Sequence, residues 1–306
     1  MNTRLNELLK VDYPIVLAGM GHVSSSPELV AAVCNAGGFG FLALATIPTQ
    51  ELRGVIGKLK ELTHYPFGVN TPLISPELNE KLEISYNEGV GVVATSLGNP
   101  KEVIDWGKAR GLTMIHTGGT PVHAVRAEQA GADAIIITGT EGGGHISYIG
   151  SMALIPQTVD KVSIPVIAGG GICDARGFAA ALCLGAEGVM MGTRFALSKE
   201  SPLPDNIKRR MLQSSASDTV ATTAVTGKNL RTLRNKYIDE LLANKKPSLW
   251  QTIKGAFKLK KSLGVSTRAA IPSAWKAFAS DPAILNMLAW GSRIEQGLVE
   301  GDEEHG

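Results

Sequence analysis

The sequence predicts an α/β chain folded as a closed (β/α)8 barrel, and three observations carry that expectation. Between residues 11 and 195, eight short runs of mostly apolar residues alternate with segments whose apolar residues recur at helical spacing. Five helical segments end alike, with a glycine just before the next run: Asn35-Ala-Gly-Gly, Asn87-Glu-Gly-Val, Ala109-Arg-Gly-Leu, Gln129-Ala-Gly-Ala and Leu184-Gly-Ala-Glu. The glycines of Asn35-Ala-Gly-Gly-Phe-Gly40 follow a helix and enter a strand, the reverse of the order in a dinucleotide fingerprint, which disfavours an open doubly wound sheet.

In chain order, strands are expected at residues 15–18, 39–44, 67–70, 90–95, 113–116, 134–138, 166–168 and 188–191. Helices are expected at 27–35, 49–62, 100–110 and 121–130, several opening on proline, whose missing N–H costs nothing in a first turn. Eight such units in about 190 residues match a TIM barrel. After Arg194 the rhythm changes. Residues 197–280 show no strand pattern, include a helical stretch at 230–243, and read as a helical insertion after the eighth strand. A last helix at 283–299 then returns, so the barrel is expected to comprise 1–196 plus 281–306.

A chain of 306 residues that is 44% hydrophobic and 19% charged can bury a large core, and a net charge of +2 gives no basis for nucleic-acid binding. Cys34, Cys173 and Cys183 form no CxxC pair and no even framework, which fits a reducing cytoplasm. No apolar leader or membrane-spanning run is present in the sequence. Lys245, Lys246, Lys254, Lys258, Lys260, Lys261 and Arg268 form a basic cluster without acidic neighbours. Its ordinary reading is a solvated helix face; an acyl carrier protein, the phosphates of a coenzyme A ester or a membrane surface are the others. Trp250 and Trp275 read either as packing or as a face for a partner subunit in a homodimer.

In such barrels the active site lies at the C-terminal strand ends. Those ends supply Gly19-Met20, Asn70, Thr95-Ser96, His116-Thr117, Glu141 to His145, Gly169-Gly170-Gly171 and Gly192-Thr193. There is no lysine among them for a Schiff base, and His116 with His145 would make too poor a ligand set for a metal. At the sixth strand the run Ile135-Ile-Ile-Thr breaks into Gly142, Gly143 and Gly144 before His145. Glycine lets a flat ligand approach the main chain, and an imidazole titrates near neutrality, so His145 is the candidate proton-transfer residue. The glycine turns after the seventh and eighth runs sit where barrels bind phosphate through backbone N–H groups. A phosphate on one side and a histidine over a glycine bed on the other leave room for a flavin mononucleotide.

The motifs Asp12-Tyr-Pro-Ile, Ala18-Gly-Met20, Pro66-Phe-Gly-Val-Asn70, Glu141-Gly-Gly-Gly-His145, Pro165-Val-Ile-Ala-Gly-Gly-Gly-Ile172 and Met191-Gly-Thr-Arg-Phe195 together resemble the nitronate monooxygenase family of flavoproteins, which includes FabK-type enoyl-[acyl carrier protein] reductases and some NADH:quinone reductases. A weaker echo lies in Trp290-Gly-Ser-Arg-Ile-Glu-Gln-Gly-Leu298. The resemblance implies a barrel holding FMN, with Gly19, Met20 and Asn70 near the ring system, Gly169, Gly170, Gly171, Gly192 and Thr193 at the phosphate, and His145 beside the reactive ring; Thr138 and Gly143 are further candidates for binding the cofactor. This chain has Gly142 where the family usually has alanine. It has hydroxyls at Thr138 and Thr117, where members often carry an acidic or amide side chain and some a lysine. Three readings of activity follow: oxidation of nitronates with O2; NAD(P)H-dependent reduction of an enoyl thioester or a quinone, with NAD(P)H as co-substrate; and, in another class, a barrel that binds a phosphorylated ligand without redox work.

Overall fold

The structure is a computed structural model and describes residues 2–243 and Gly301. Within it the chain forms two compact units. The first comprises residues up to Gly142 together with Ile146–Ser201, and the second comprises Gly143–His145 together with the described residues from Pro202 onward.

The first unit is a closed barrel of eight parallel strands: β1 (Ile15–Leu17), β2 (Phe39–Ala43), β3 (Gly68–Pro72), β4 (Val92–Ser96), β5 (Thr113–Gly118), β6 (Ala134–Thr138), β8 (Val166–Gly169) and β9 (Gly188–Met191). The barrel closes where Ile15 pairs with Val189 and Leu17 with Met191. A two-residue strand, β7 (Gly144–His145), follows β6 in the chain and belongs to the second unit. The helices between barrel strands are α2 (Pro27–Asn35), α3 (Thr49–Leu62), α4 (Leu78–Asn87), α5 (Lys101–Lys108), α6 (Pro121–Gln129), α7 (Ser151–Val159) and α8 (Ala175–Cys183), and α9 (Thr193–Ala196) follows the last strand. All eight strand expectations hold to within two residues at each end.

The glycine repeat explains that agreement. Gly37, Gly89, Gly111, Gly131 and Gly185 all take a positive φ, between 73° and 98°. Each ends its helix in the same pair of bonds. The glycine N–H reaches the carbonyl three residues back, as Gly131 N–H does to Glu128 O at 2.8 Å, and the next N–H reaches five back, as Ala132 does to Ala127 O at 3.0 Å. A side chain at these positions would oppose the left-handed turn that sends the chain into the next strand.

Strand alternation then fills the interior. Val16, Phe39, Phe41, Val92, Ala94, Ile115, Ala134, Ile136 and Ile167 form one buried cluster, with the Phe39 and Phe41 rings edge to face at 5.1 Å. The helix α1 (Arg4–Leu9), which strand periodicity does not announce, adds Leu5 and Leu9 to that cluster and closes the end from which the strands start. Burying each valine, leucine, isoleucine or phenylalanine of this cluster stabilises the barrel by about 1.5–3 kcal/mol before entropy is counted.

The second unit contains α10 (Asp205–Gln213), a three-stranded antiparallel sheet in the order β10 (Thr219–Thr222), β11 (Leu230–Leu233), β7, and α11 (Lys236–Leu242). Val225, Leu230, Tyr237, Ile238 and Leu241 form its core. The expected strand-free insertion with a helix over 230–243 is therefore corrected. Residues 230–233 pair in register with β10, Val220 opposite Thr232, and the helix starts only after Asn235, whose Oδ1 accepts from Ile238 N–H at 2.9 Å. The expected helix at 283–299, the basic cluster, Trp250 and Trp275 lie outside the described residues. Among the described residues no helix is long and apolar enough to cross a membrane.

Candidate active site

The interior cluster fixes which strand face points inward, and strict alternation carries that face to the C-terminal rim. With Val92 and Ala94 inside, Ser96 is inside; with Ile115 inside, so is Thr117; with Ala134 and Ile136 inside, so is Thr138. Asn70 pairs in register with Ala94 and shares its face. The same rule brings Ala18, Ala43, Gly169 and Gly192 to the rim. Four hydrogen-bonding side chains and four residues with little or no side chain thus form a shallow polar floor over an apolar core, a surface suited to a flat, polar-edged ligand.

Several sequence-selected residues meet there. The Asn70 side chain lies across Gly19: a Cβ on Gly19 would stand 2.2 Å from Asn70 Oδ1. The Met20 sulfur lies against Gly192, 3.3 Å from where a Cβ would be, and Met20 N–H is held by Ser24 Oγ at 2.7 Å. Thr138 sits between Gly142 and Gly169, its Oγ1 3.1 Å from a Cβ position on Gly169. At the adjoining loop Gly170 and Gly171 have φ of 101° and 72°. Among the described residues no backbone carbonyl accepts from the N–H groups of Gly170, Gly171, Gly192 or Thr193. The α8 N-terminus is already occupied, because Asp174 Oδ1 accepts from Arg176 and Gly177 N–H at 3.0 and 3.2 Å. An anion at this edge would therefore be held by the two glycine turns and not by α8.

Two strand-end residues leave the site. Thr95 and His116 pair in register on the outward face, and Thr95 Oγ1 meets His116 Nδ1 at 2.8 Å in a fully buried contact. Burial, with a smaller contribution from His123, pushes the His116 imidazole down to about 4. His116 is thus a neutral structural histidine behind the barrel wall, and the pairing with His145 weighed for a metal is replaced by this contact. The unfolded chain titrates this group near pH 6.5, so it binds more protons than the fold between about pH 6.5 and 4. This contribution is complete above pH 6.5 and falls by about 1.4 kcal/mol per pH unit below it, roughly 3 kcal/mol in all. Urea unfolding of the wild type and His116→Gln should show a smaller loss of stability in the variant between pH 7 and 4.5; equal slopes would contradict the buried neutral assignment.

His145 sits in β7, where it pairs with Leu230 of β11 while Gly144 pairs with Arg231. Its Nε2 meets Thr226 Oγ1 at 3.0 Å. Burial first, then the Lys228 charge, pulls its pKa below the ordinary histidine value, so the neutral form prevails at neutral pH. Of the glycine bed, Gly144 takes the left-handed conformation at φ 75°, whereas a side chain at Gly143 would meet open space. Glu141 of the same motif is a capping residue: its carboxylate accepts from Ser151 N–H at 3.0 Å and Ser151 Oγ at 2.7 Å at the start of α7.

Two residues escaped sequence reading. Lys81, 3% exposed in α4, donates from Nζ to Leu44 O at 3.1 Å just beyond β2, and Leu44 N–H in turn donates to Asn70 O at 2.9 Å. Burial pulls its pKa down against the opposing pull of Glu77. The signal was present, since Leu78, Lys81, Leu82 and Ser85 share one helical stripe, buried at Lys81, Leu82 and Ser85, that a lysine ordinarily avoids. Thr226 had none, lying 81 residues from its histidine.

A parallel eightfold barrel whose C-terminal rim carries a polar floor edged by glycine turns places the chain in the class of barrel enzymes that work at that rim. The family model described as nitronate monooxygenase matches residues 2–306, and the chain belongs to that family of flavin-dependent oxidoreductases. The chain is 43% identical to a (3aS,4S,5R,7aS)-5-hydroxy-7a-methyl-1-oxo-octahydro-1H-indene-4-carboxyl-CoA dehydrogenase of Mycobacterium tuberculosis, over 79% of this chain and 68% of that protein. A probable nitronate monooxygenase of Staphylococcus saprophyticus is 35% identical over 79% of this chain and 81% of its own. The solved structure of FabK from Thermotoga maritima superposes with a TM-score of 0.83 at 34% identity, covering 100% of this chain and 87% of the other.

Proposed function

We propose that the protein is an FMN-dependent oxidoreductase that oxidises nitronates with O2, with His145 exchanging a proton at the carbon next to the nitro group of a neutral nitroalkane. The observation that carries the FMN reading is the pair of glycine turns, Gly170-Gly171 and Gly192-Thr193, whose N–H groups no backbone carbonyl among the described residues uses, beside a floor of Asn70, Ser96, Thr117 and Thr138. The four N–H groups would hold the phosphate. Gly19, Met20 and Gly169 would let the ring approach the main chain, and the floor side chains would orient its polar edge. FMN supplies exchange of a hydride or electrons with substrate; the protein orients the ring, excludes water and moves the proton. Since the neutral imidazole prevails at neutral pH, His145 is ready to take a proton from a carbon acid.

A second reading is action on an acyl thioester with NAD(P)H as the reductant; its thioester part is favoured by the 43% identity to a dehydrogenase named for a carboxyl-CoA compound and by the FabK likeness across the whole chain. The basic cluster at residues 245–268 suits the acidic carriers of such thioesters, coenzyme A or acyl carrier protein. The proton chemistry is shared, because a nitro group and a thioester both acidify the adjacent carbon. Purified protein is expected to be yellow and to bleach on reduction. Oxygen consumption with a nitronate supports the first reading, NAD(P)H oxidation that depends on an enoyl thioester the second, and colourless protein that takes up no FMN defeats both.

A further inference from the structure

The loop joining β10 to β11 carries the hydroxyl that meets the His145 ring. Residues 223–229 turn through Gly227, at φ 73°, whose N–H donates to Thr223 O at 2.9 Å, and Val225 anchors the turn in the core of the second unit. Thr226 thereby meets His145 Nε2 at 3.0 Å. The main chain of His145 is independently held by β11, so ring and hydroxyl are positioned from two directions. Thr226 Oγ1 also faces the Lys228 carbonyl and the Lys228 N–H, both at 3.4 Å.

We infer that Thr226 is a positioning residue for His145: its hydroxyl accepts from Nε2–H, points its own proton at the Lys228 carbonyl, and leaves Nδ1 as the nitrogen that exchanges a proton with substrate. The inference rests on the proposed role of His145 and says which ring nitrogen performs it. A hydroxyl has one proton and two lone pairs. If that proton went to Nε2, the Lys228 carbonyl oxygen would face a threonine lone pair at 3.4 Å with no hydrogen between them. With the proton on the carbonyl side, every partner is matched: Nε2–H and Lys228 N–H donate to Oγ1, and Oγ1–H donates to Lys228 O. The arrangement also survives the reaction step. A proton leaves the substrate carbon for the Nδ1 lone pair, the C–H electron pair stays with the substrate, and the imidazolium keeps its Nε2–H bond to Thr226 without any proton passing further. The charged groups of this sheet and its turns are Asp218, Lys228, Arg231 and Arg234. Arg231 donates to Thr219 Oγ1 at 2.7 Å, Arg234 pairs with Asp239, and among the described residues the Lys228 charge acts on the ring.

Nitrogen-15 NMR of the imidazole in the FMN-loaded enzyme reads the tautomer and the pKa directly, alongside the pH profile of kcat/KM. Neutral His145 is expected to carry its proton on Nε2. In Thr226→Val, which removes an acceptor that favours the charged ring, the His145 pKa and the acid limb of the profile should both fall by about one pH unit. Thr226→Ser should restore both, which a merely structural role for the residue would not require. A proton on Nδ1 in the wild type, a valine variant with wild-type pKa and tautomer, or a serine variant as altered as valine would each overturn the inference. Unchanged turnover in His145→Ala would instead defeat the proposed catalytic role, while the ring's tautomer and pKa would still report on the Thr226 contact.

Discussion

Replacing His145 by alanine should leave the protein yellow and slow its turnover by about 10²–10⁴-fold, the usual contribution of a positioned general acid or base. The two outcomes separate because the groups assigned to the phosphate and the floor belong to other residues, so the cofactor loses no holding contact. Sheet pairing at β7 uses main-chain groups of Gly144 and His145, which alanine retains. The half-buried imidazole is pulled below its ordinary pKa by burial and by Lys228, so the base form is lost only on acidification. The wild-type profile should accordingly rise with pH through that lowered value and be flat at neutrality, and the variant should lose this limb. Visible absorbance for bound flavin and steady-state rates from pH 5 to 8 check both statements. A substrate supplied already ionised, such as a preformed nitronate, should be much less affected than a neutral nitroalkane. Equal turnover of neutral substrate by variant and wild type would take His145 out of the chemistry.

The barrel was legible because its information is local. Five helix ends with glycine at the left-handed position, and strand runs of three to six residues, recur at short sequence separation and need no tertiary partner to be recognised. The rim was half legible. Alternation brings Asn70 and Thr138 to the inward face at the rim, whereas Thr95 and His116, next to Ser96 and Thr117 in the chain, face outward, because neighbours on a strand face opposite sides. Counting by two from the apolar residues Ala94 and Ile115 would have separated them. The second unit was least legible. Its strands have two to four residues and include Thr219, Thr222 and Thr232, and β7 finds its partner only at Leu230, so neither periodicity nor local turn chemistry reveals the sheet around His145.

Gly170→Ala should cost most of the protein's hold on FMN while leaving the barrel folded. At φ 101° the residue is in a region where a side chain is strained by about 1–2 kcal/mol. Its Cβ would stand 3.0 Å from Gly142 N and 3.4 Å from Gly139 N and O. All three atoms are backbone, and Gly139 is tied to Gly169 O at 3.2 Å, so none can swing aside as a flexible side-chain tip would. The loop must shift, and its N–H groups shift with it. Losing one hydrogen bond to a charged phosphate, at about 1.5–3 kcal/mol, lowers affinity roughly 10- to 100-fold. Fluorescence titration of apoprotein with FMN measures this. Gly54→Ala is the matched control: it lies inside α3, meets nothing within 4 Å, and should bind FMN normally while gaining about 0.5–1 kcal/mol of stability from helix propensity. A Gly170→Ala protein that melts normally and binds FMN as tightly as the wild type would show that the phosphate is held elsewhere. One that binds FMN weakly but riboflavin, which lacks the phosphate, as tightly as the wild type does would place the lost contact at the phosphate itself.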